Sequence, residues 1–375
     1  MSLAIVNLVG IEKVVTFIVM LSILVVLHEF GHFLVARRNG VRVNEFAVGM
    51  GPKLVGWTSP RSGTLYSIRA LPIGGYCAMQ GEDGKTSEAE QQREFRDASA
   101  AEQDNFQAKS AWQRLAIVLA GPVANFLLCY LILLVAALVF GVAGNANQPV
   151  VGVLVKGSPA AIAGLQTGDR IVALNGAVIA NGGSLVDTIH GSLGKKLDLV
   201  YLRNGVRTEI YVTPGLCPIP GKKWGCIGFS PVPAFQRVGF MEAVRDSGAQ
   251  FRNIADGTVA SIVLLATHFT KYAPQISGPI GMGQVAATVE DWGWGPYFSL
   301  AATISFALGL FNLLPIPALD GGRAAFIVAE LIRGKPVDPE KEAMVHIAGF
   351  AALMALMLLV AFHDIARIAS GNGVM

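Results

Sequence analysis

Val14 to Ala36 is a run of 23 residues that would pass for an ordinary spanning helix but for one polar cluster, His28, Glu29 and His32. The run is long enough to cross a hydrocarbon core of ~30 Å. Ionisable side chains at such depth are costly unless they pair, coordinate or face water, so they point to function. His28-Glu29-Phe30-Gly31-His32 is the H-E-x-x-H pattern. On a helix the i, i+4 spacing brings both imidazoles to one face, where they can share one zinc ion. Glu29, one position on, is then placed to take a proton from bound water. The run reads as a retained first span rather than a signal peptide: Lys13 is the only basic residue before it, no small-residue cleavage site follows Leu27, and the apolar run continues past the charges.

The rest of the chain suits a membrane protein. Of 375 residues, 53% are hydrophobic and only 15% charged, against ~25% charged in soluble domains. The net charge of +3 is too small to argue for nucleic acid as a partner. Leu115–Phe140, Leu300–Leu319 and Met344–Phe362 supply three further spans, the third span of the chain being interrupted by Pro315 and Pro317. The expected fold is therefore a multi-pass α-helical membrane protein with about four spanning helices. Arg37, Arg38 and Arg42 after the first span, and Arg323, Arg333, Lys335 and Lys341 between the third and fourth, place those loops in the cytoplasm and both termini outside. Short strands at 41–48, 54–57 and 65–71 around the turn Ser59-Pro60-Arg61-Ser62-Gly63 read as a small membrane-associated β meander on the cytoplasmic side. Glu82–Asp104 reads as a mobile polar loop. Ile254–Phe269 is apolar but carries Asp256, Gly257 and His268, so it is expected at the membrane surface, as is an amphipathic helix over Phe240–Arg252.

A catalytic zinc takes three protein ligands and keeps one position open, so a third ligand lies elsewhere. Asp320, Glu330, His346, His363 and Asp364 are the candidates in apolar surroundings. Asp320 is the strongest, because it ends FNLLPIPALDGG, and broken backbone at membrane depth is tolerated only where protein buries it or it lines a cavity. Cys217 and Cys226 flank a short segment and could close a small loop as a disulfide in an oxidising compartment. Between the second and third spans, SPAAIAGLQTGDRIVALNG resembles a PDZ domain of the bacterial protease-associated type, over Pro149–Pro214. The chain then divides into residues 1–40 (first span with H-E-x-x-H), 41–110 (meander and loop), 111–145 (second span), 149–214 (one extracytoplasmic PDZ domain), 215–298 (outer linker with surface helices), 299–335 (third span) and 341–365 (fourth span).

HEFGH in the first span, NLLPIPALDGG in the third and a PDZ-like module between the second and third together resemble the site-2 protease family of intramembrane zinc metalloproteases, most closely the bacterial regulator-of-sigma-E protease type. GMGP at Gly49–Pro52, LPIGGY at Leu71–Tyr76, GPVANF at Gly121–Phe126 and SGPIG at Ser277–Gly281 extend the likeness through nearly the whole chain. The resemblance implies one Zn2+ held by His28, His32 and Asp320, Glu29 as general base, Asn312 as a substrate contact, and a bacterial inner-membrane location. It implies cleavage within single-pass membrane proteins, such as a trimmed anti-sigma factor or a remnant signal peptide, with the PDZ module docking a peptide or gating substrate ectodomains. Leu65–Leu71, with Leu65, Tyr66, Ile68 and Leu71, is the expected edge strand for pairing with an unwound substrate. Some relatives carry two PDZ domains where this chain shows one. The alternatives are a membrane PDZ scaffold with a structural metal, against which the intact Glu29 argues, and a zinc transporter, which would need more polar groups along the second and fourth spans.

Overall fold

The computed structural model describes residues 11–81, 104–143, 149–155, 157–179, 182–217, 224–232, 235–272, 278–335, 337 and 339–369. The expected polar loop lies outside them up to residue 103, as does Ser277. Contacts divide the chain into two units, the first comprising Met1–Leu133, Gly248–Thr288 and Phe298–Met375 and the second Leu134–Ser247 and Val289–Tyr297.

The first unit opens with helix α1 (Ile11–Arg38). It stops at Asn39-Gly40, where Gly40 takes a left-handed φ of +70° and the N–H groups of Asn39, Gly40 and Val41 bond back to the Val35, Ala36 and Arg37 carbonyls freed at the helix end. Arg37 and Arg38 sit favourably against the negative end of the helix dipole. Two long strands follow, β1 (Val43–Thr58) and β2 (Leu65–Met79), joined by the expected turn, in which Ser59 and Thr64 share a backbone bond. These are not a meander of separate short strands. Gly49 and Gly51, at φ +85° and +84°, let β1 bend so that both of its halves pair with β2.

The register corrects the expected edge. Leu65, Tyr66, Ser67 and Ile68 pair with Glu45–Val48 on one side and with Val55–Thr58 on the other, so this part of the segment expected to pair with substrate is interior to the sheet, while Arg69 and Leu71 pair on one side, with Lys53 and Met50. Among the described residues, the far side of Lys53–Thr58 pairs with no strand. One carboxylate ties the bent hairpin together. Glu45 accepts from Ser67 Oγ (2.5 Å), Arg69 Nη2 (2.8 and 3.0 Å) and Tyr76 Oη (2.8 Å), while Arg69 Nη1 reaches the Gly51 carbonyl (2.7 Å). Burial alone would raise the Glu45 pKa, but these donors outweigh it and hold it below the ordinary value.

Helix α2 (Ala111–Val139) contains Pro122, whose missing N–H removes one bond from its ladder. In the second unit lies a sheet of β3 (Val150–Leu154), β4 (Arg170–Leu174), β5 (Ala177–Val178), β6 (Leu197–Arg203), β7 (Val206–Val212) and β8 (Phe229–Val232), in the order β8-β3-β4-β6-β7 with β5 beside β4. Helices α3 (Pro159–Ile162) and α4 (Gly182–His190) accompany it, and Ile171, Leu185, Leu197 and Leu199 are among its fully buried residues. Strand β8 lies beyond the expected boundary at Pro214, so this module runs to Val232. Cys226 lies on a small two-stranded ladder with Gly215–Leu216, and Cys217, directly after that strand, has its Cα 5.0 Å from that of Cys226.

The two surface helices expected over 240–269 form one, α5 (Phe240–Thr267), followed by the short α6 (Phe269–Tyr272) and by α7 (Pro279–Asp291). The expected third span is two helices. Helix α8 (Trp294–Leu313) ends where Pro315 and Pro317 can neither donate to the ladder nor let their predecessors stay helical, and α9 (Asp320–Arg333) starts at the aspartate. Helix α10 (Pro339–Ala369) closes the chain. Among the described residues four helices are long and apolar enough to span a membrane: Glu12–Arg38, Ala111–Val139, Trp294–Leu313 and Lys341–Ala369.

Candidate metal centre

His28 and His32 leave one face of α1 and Asp320 opens α9, and the three side chains meet. His28 Nε2 is 3.2 Å from His32 Nε2, and Asp320 Oδ2 is 3.1 Å from the first and 3.3 Å from the second. Both histidines are 6% exposed, so water is not the partner these groups face.

The protons decide what the cluster can hold. His32 Nδ1 lies 2.8 Å from the Ile117 carbonyl, which can only accept, so Nδ1 carries a proton and Nε2 is the nitrogen turned to the cluster. Asn125 Nδ2 lies 3.1 Å from His28 Nδ1, and the Oδ1 of this fully buried amide has no partner. An amide's oxygen and nitrogen exchange by a half-turn, and Oδ1 so turned would accept from Nδ1–H and fix the same tautomer as in His32. Neutral and in that tautomer, the two imidazoles turn lone pairs toward a carboxylate oxygen, an arrangement that calls for a cation. Their separations match the ~3.3 Å edges of a tetrahedron with metal–ligand bonds of ~2.0 Å, so the donor set fits zinc.

Gly121 makes room for this. A Cβ there would overlap His32 Nε2 and lie 2.7 Å from His28 Nε2. Gly31 does the same for the helix pair, since its Cβ would overlap the Ala120 carbonyl and lie 2.7 Å from Ala124 Cβ. After Asp320, a Cβ on Gly321 or Gly322 would overlap the Leu313–Ile316 backbone folded above them. Ser305 Oγ donates to the Asn125 carbonyl (2.9 Å) and ties α8 to α2 at the same level. In the sequence, Gly121 and Asn125 are visible only as part of GPVANF; an amide in an otherwise apolar span is the signal that could single out Asn125.

The remaining ligand candidates go elsewhere. Glu330 pairs with Arg114 (2.5 Å), His346 Nδ1 accepts from the Ala318 N–H, His363 is exposed, and the fully buried Asp364 accepts from the Gly281 N–H (2.9 Å). Glu29 is half-buried on α1, and Asn312 is half-buried in the last turn of α8. The hairpin packs beside the H-E-x-x-H turn through Phe33–Phe46 (5.2 Å) and Phe33–Tyr66 (6.1 Å), and Tyr66 stacks on Trp57 (5.1 Å) at the open edge.

The family model described as Peptidase family M50 matches residues 16–356. The chain belongs to peptidase family M50. It is 32% identical to the zinc metalloprotease RasP of Bacillus licheniformis, with 95% of this chain and 99% of that protein aligned. It is also 32% identical to the regulator of sigma-W protease RasP of Bacillus subtilis, over 96% and 99% of the two chains. This M50 member is thus a membrane zinc metalloprotease of the site-2 type with zinc as its cofactor. Among solved structures, the PDZ domain of an SdrC-like protein from Listeria monocytogenes aligns with 22% of this chain and 86% of its own, at 21% identity and a TM-score of 0.21.

Proposed function

We propose that this M50 protease cleaves peptide bonds within the transmembrane segments of single-pass membrane proteins, with His28, His32 and Asp320 as zinc ligands and Glu29 as general base. The convergence of two imidazole nitrogens and a carboxylate oxygen between apolar helices carries this reading. Bound zinc supplies Lewis acidity, which lowers the pKa of a bound water to ~7 and polarises a carbonyl. Glu29 takes the proton of the attacking water and passes it to the leaving amide nitrogen. Asn312 holds the backbone of the substrate by its amide. A substrate helix has its backbone groups satisfied internally and must unwind before cleavage. The open edge at Lys53–Thr58, where Leu54, Val55 and Trp57 are exposed, supports strand addition by the unwound segment.

The sheet module of residues 149–232 is read as a single extracytoplasmic PDZ domain that docks a peptide or screens substrate ectodomains, in a protein of the bacterial inner membrane with its active site toward the cytoplasm. Trimmed anti-sigma factors and remnant signal peptides fit such a screen. The Cα separation of Cys217 and Cys226 supports a disulfide between them. The test is cleavage of a tagged single-pass substrate by purified wild type and Glu29→Gln, with zinc measured on both. Cleavage by the wild type alone, with about one zinc in each sample, is expected from a base that is not a ligand. Equal cleavage by both proteins refutes the role of Glu29, and a zinc-loaded wild type that cleaves no trimmed substrate refutes the substrate class.

A further inference from the structure

The backbone between α8 and α9 must leave one helix and enter the next at membrane depth, where an unpaired N–H finds no water. Its donors can be followed one by one. Leu314 N–H bonds to the Phe311 carbonyl (3.1 Å), Ile316 N–H to Leu314 (2.7 Å) and Leu319 N–H to Ile316 (3.2 Å). Pro315 and Pro317 have no donor. That leaves Ala318, whose N–H donates to His346 Nδ1 at 2.9 Å, across from α10. In this connection it is the donor met by a side chain.

Ala318 is also the strained residue of the connection, with φ +77°. Pro317 precedes it and the Leu319-to-Ile316 bond closes over it, which is the third position of a type II turn, where glycine is favoured because a Cβ is crowded. Helix α10 presses on the same turn at a second point: a Cβ on Gly349, three residues after His346, would overlap Pro317 and lie 2.8 Å from its carbonyl oxygen. His346 accepts at Nδ1, so its proton is on Nε2, which faces the Glu342 carboxylate at 3.9 Å one turn earlier; Phe326 of α9 flanks the ring at 5.7 Å. Asp320 follows Ala318 by two residues.

We propose that His346 is a positioning residue, holding the strained Ala318 turn in the one conformation that aims Asp320 at His28 and His32. The inference rests on the reading of Asp320 as a zinc ligand. Without an acceptor at His346, the Ala318 N–H loses its partner and the strained turn relaxes, so the carboxylate leaves its place between the imidazoles. Strain at Ala318 and the bond from His346 are thus two halves of one device, and removing the strain removes the need for the bond.

The test uses the full chain in detergent, with zinc affinity read by chelator competition and cleavage split into kcat and KM. His346→Leu is expected to weaken zinc binding on the order of tenfold. His346→Asn, whose Oδ1 can take the place of Nδ1 as acceptor, stays within about threefold of wild type. Ala318→Gly added to His346→Leu restores most of the affinity, because glycine adopts the left-handed conformation without crowding. A merely structural role for His346 would lower the thermal stability of the zinc-free protein and leave zinc affinity where it was. Wild-type affinity in His346→Leu, or no recovery in the double variant, overturns the proposal. Asp320→Asn separates the two levels: its loss of zinc beside an unaffected His346→Leu refutes the clamp alone, whereas wild-type affinity in Asp320→Asn refutes the ligand reading beneath it. If His346→Leu does not accumulate, the His346→Asn protein and the double variant still carry the comparison.

Discussion

Gly121→Ala adds one methyl group to α2 at the point where the helix faces both imidazoles. The new carbon would overlap His32 Nε2 and lie 2.7 Å from His28 Nε2, where ordinary contact needs ~3.5 Å, so the rings must move by roughly 1 Å. Parting the helices instead would open the close contact that Gly31 allows between α1 and the Ala120 carbonyl. Displacing His32 breaks its bond to the Ile117 carbonyl, which costs ~1 kcal/mol. Overpacking adds ~1–3 kcal/mol. Together they predict a loss of roughly 2–4 kcal/mol in zinc binding, or ~30- to 1000-fold in Kd. The zinc-free protein should behave oppositely. Its imidazoles are free to turn aside, and alanine is favoured over glycine within a helix by ~1 kcal/mol. Chelator competition and thermal unfolding of the zinc-free protein in detergent therefore read opposite signs from one substitution. Zinc affinity within threefold of wild type, or zinc-free stability that falls in step with the affinity, would refute the idea that Gly121 is there to leave the metal its space.

Asn125→Leu should weaken zinc binding ~10- to 100-fold, while Asn125→Asp, which keeps an acceptor for His28 Nδ1–H, should stay within about threefold of wild type; equal losses in both would mean that the amide donates rather than accepts. The depressed pKa of Glu45 makes its contribution to the hairpin fully present above its ordinary value of 4.5 and lost as pH falls through the folded-state value. Proteolytic protection of β1 and β2 should accordingly fall in that acidic range in the wild type, and a Glu45→Gln protein that keeps the same pH profile would remove Glu45 as its cause. A disulfide between Cys217 and Cys226, nine residues apart, should stabilise the second unit by ~2.5 kcal/mol through loop closure; unfolding of the full chain that reductant or the paired serine variant leaves unaltered would show that the bond is not formed.

How much of this is open to a reader of the sequence depends on whether the cause lies within the segment or across from it. The four apolar helices and the H-E-x-x-H face follow from runs and spacing that any helix must obey. The end of α8 follows from two prolines, and the break itself singles out Asp320 from five candidates. Pairing across the hairpin is not open in this way. Period-2 alternation marks a strand but says nothing about which strand lies beside it, so Leu65–Ile68 resembles an edge until the bends at Gly49 and Gly51 are seen to fold β1 around it. Strand β8 likewise joins its sheet from beyond the small ladder that holds Cys226, Phe229 pairing with the distant Leu154 of β3. The glycines of the metal centre show the limit most clearly. In a sequence Gly31 and Gly121 look like weak points of two helices, because glycine costs helical stability. In the structure each is the absence of a carbon that a neighbour's atoms would occupy, and the neighbour, whether the Ala120 carbonyl or the His32 imidazole, comes from another helix. A position of this kind becomes readable only once the helix it faces has been identified, which is why the ligands of the centre can be named before the residues that make room for them.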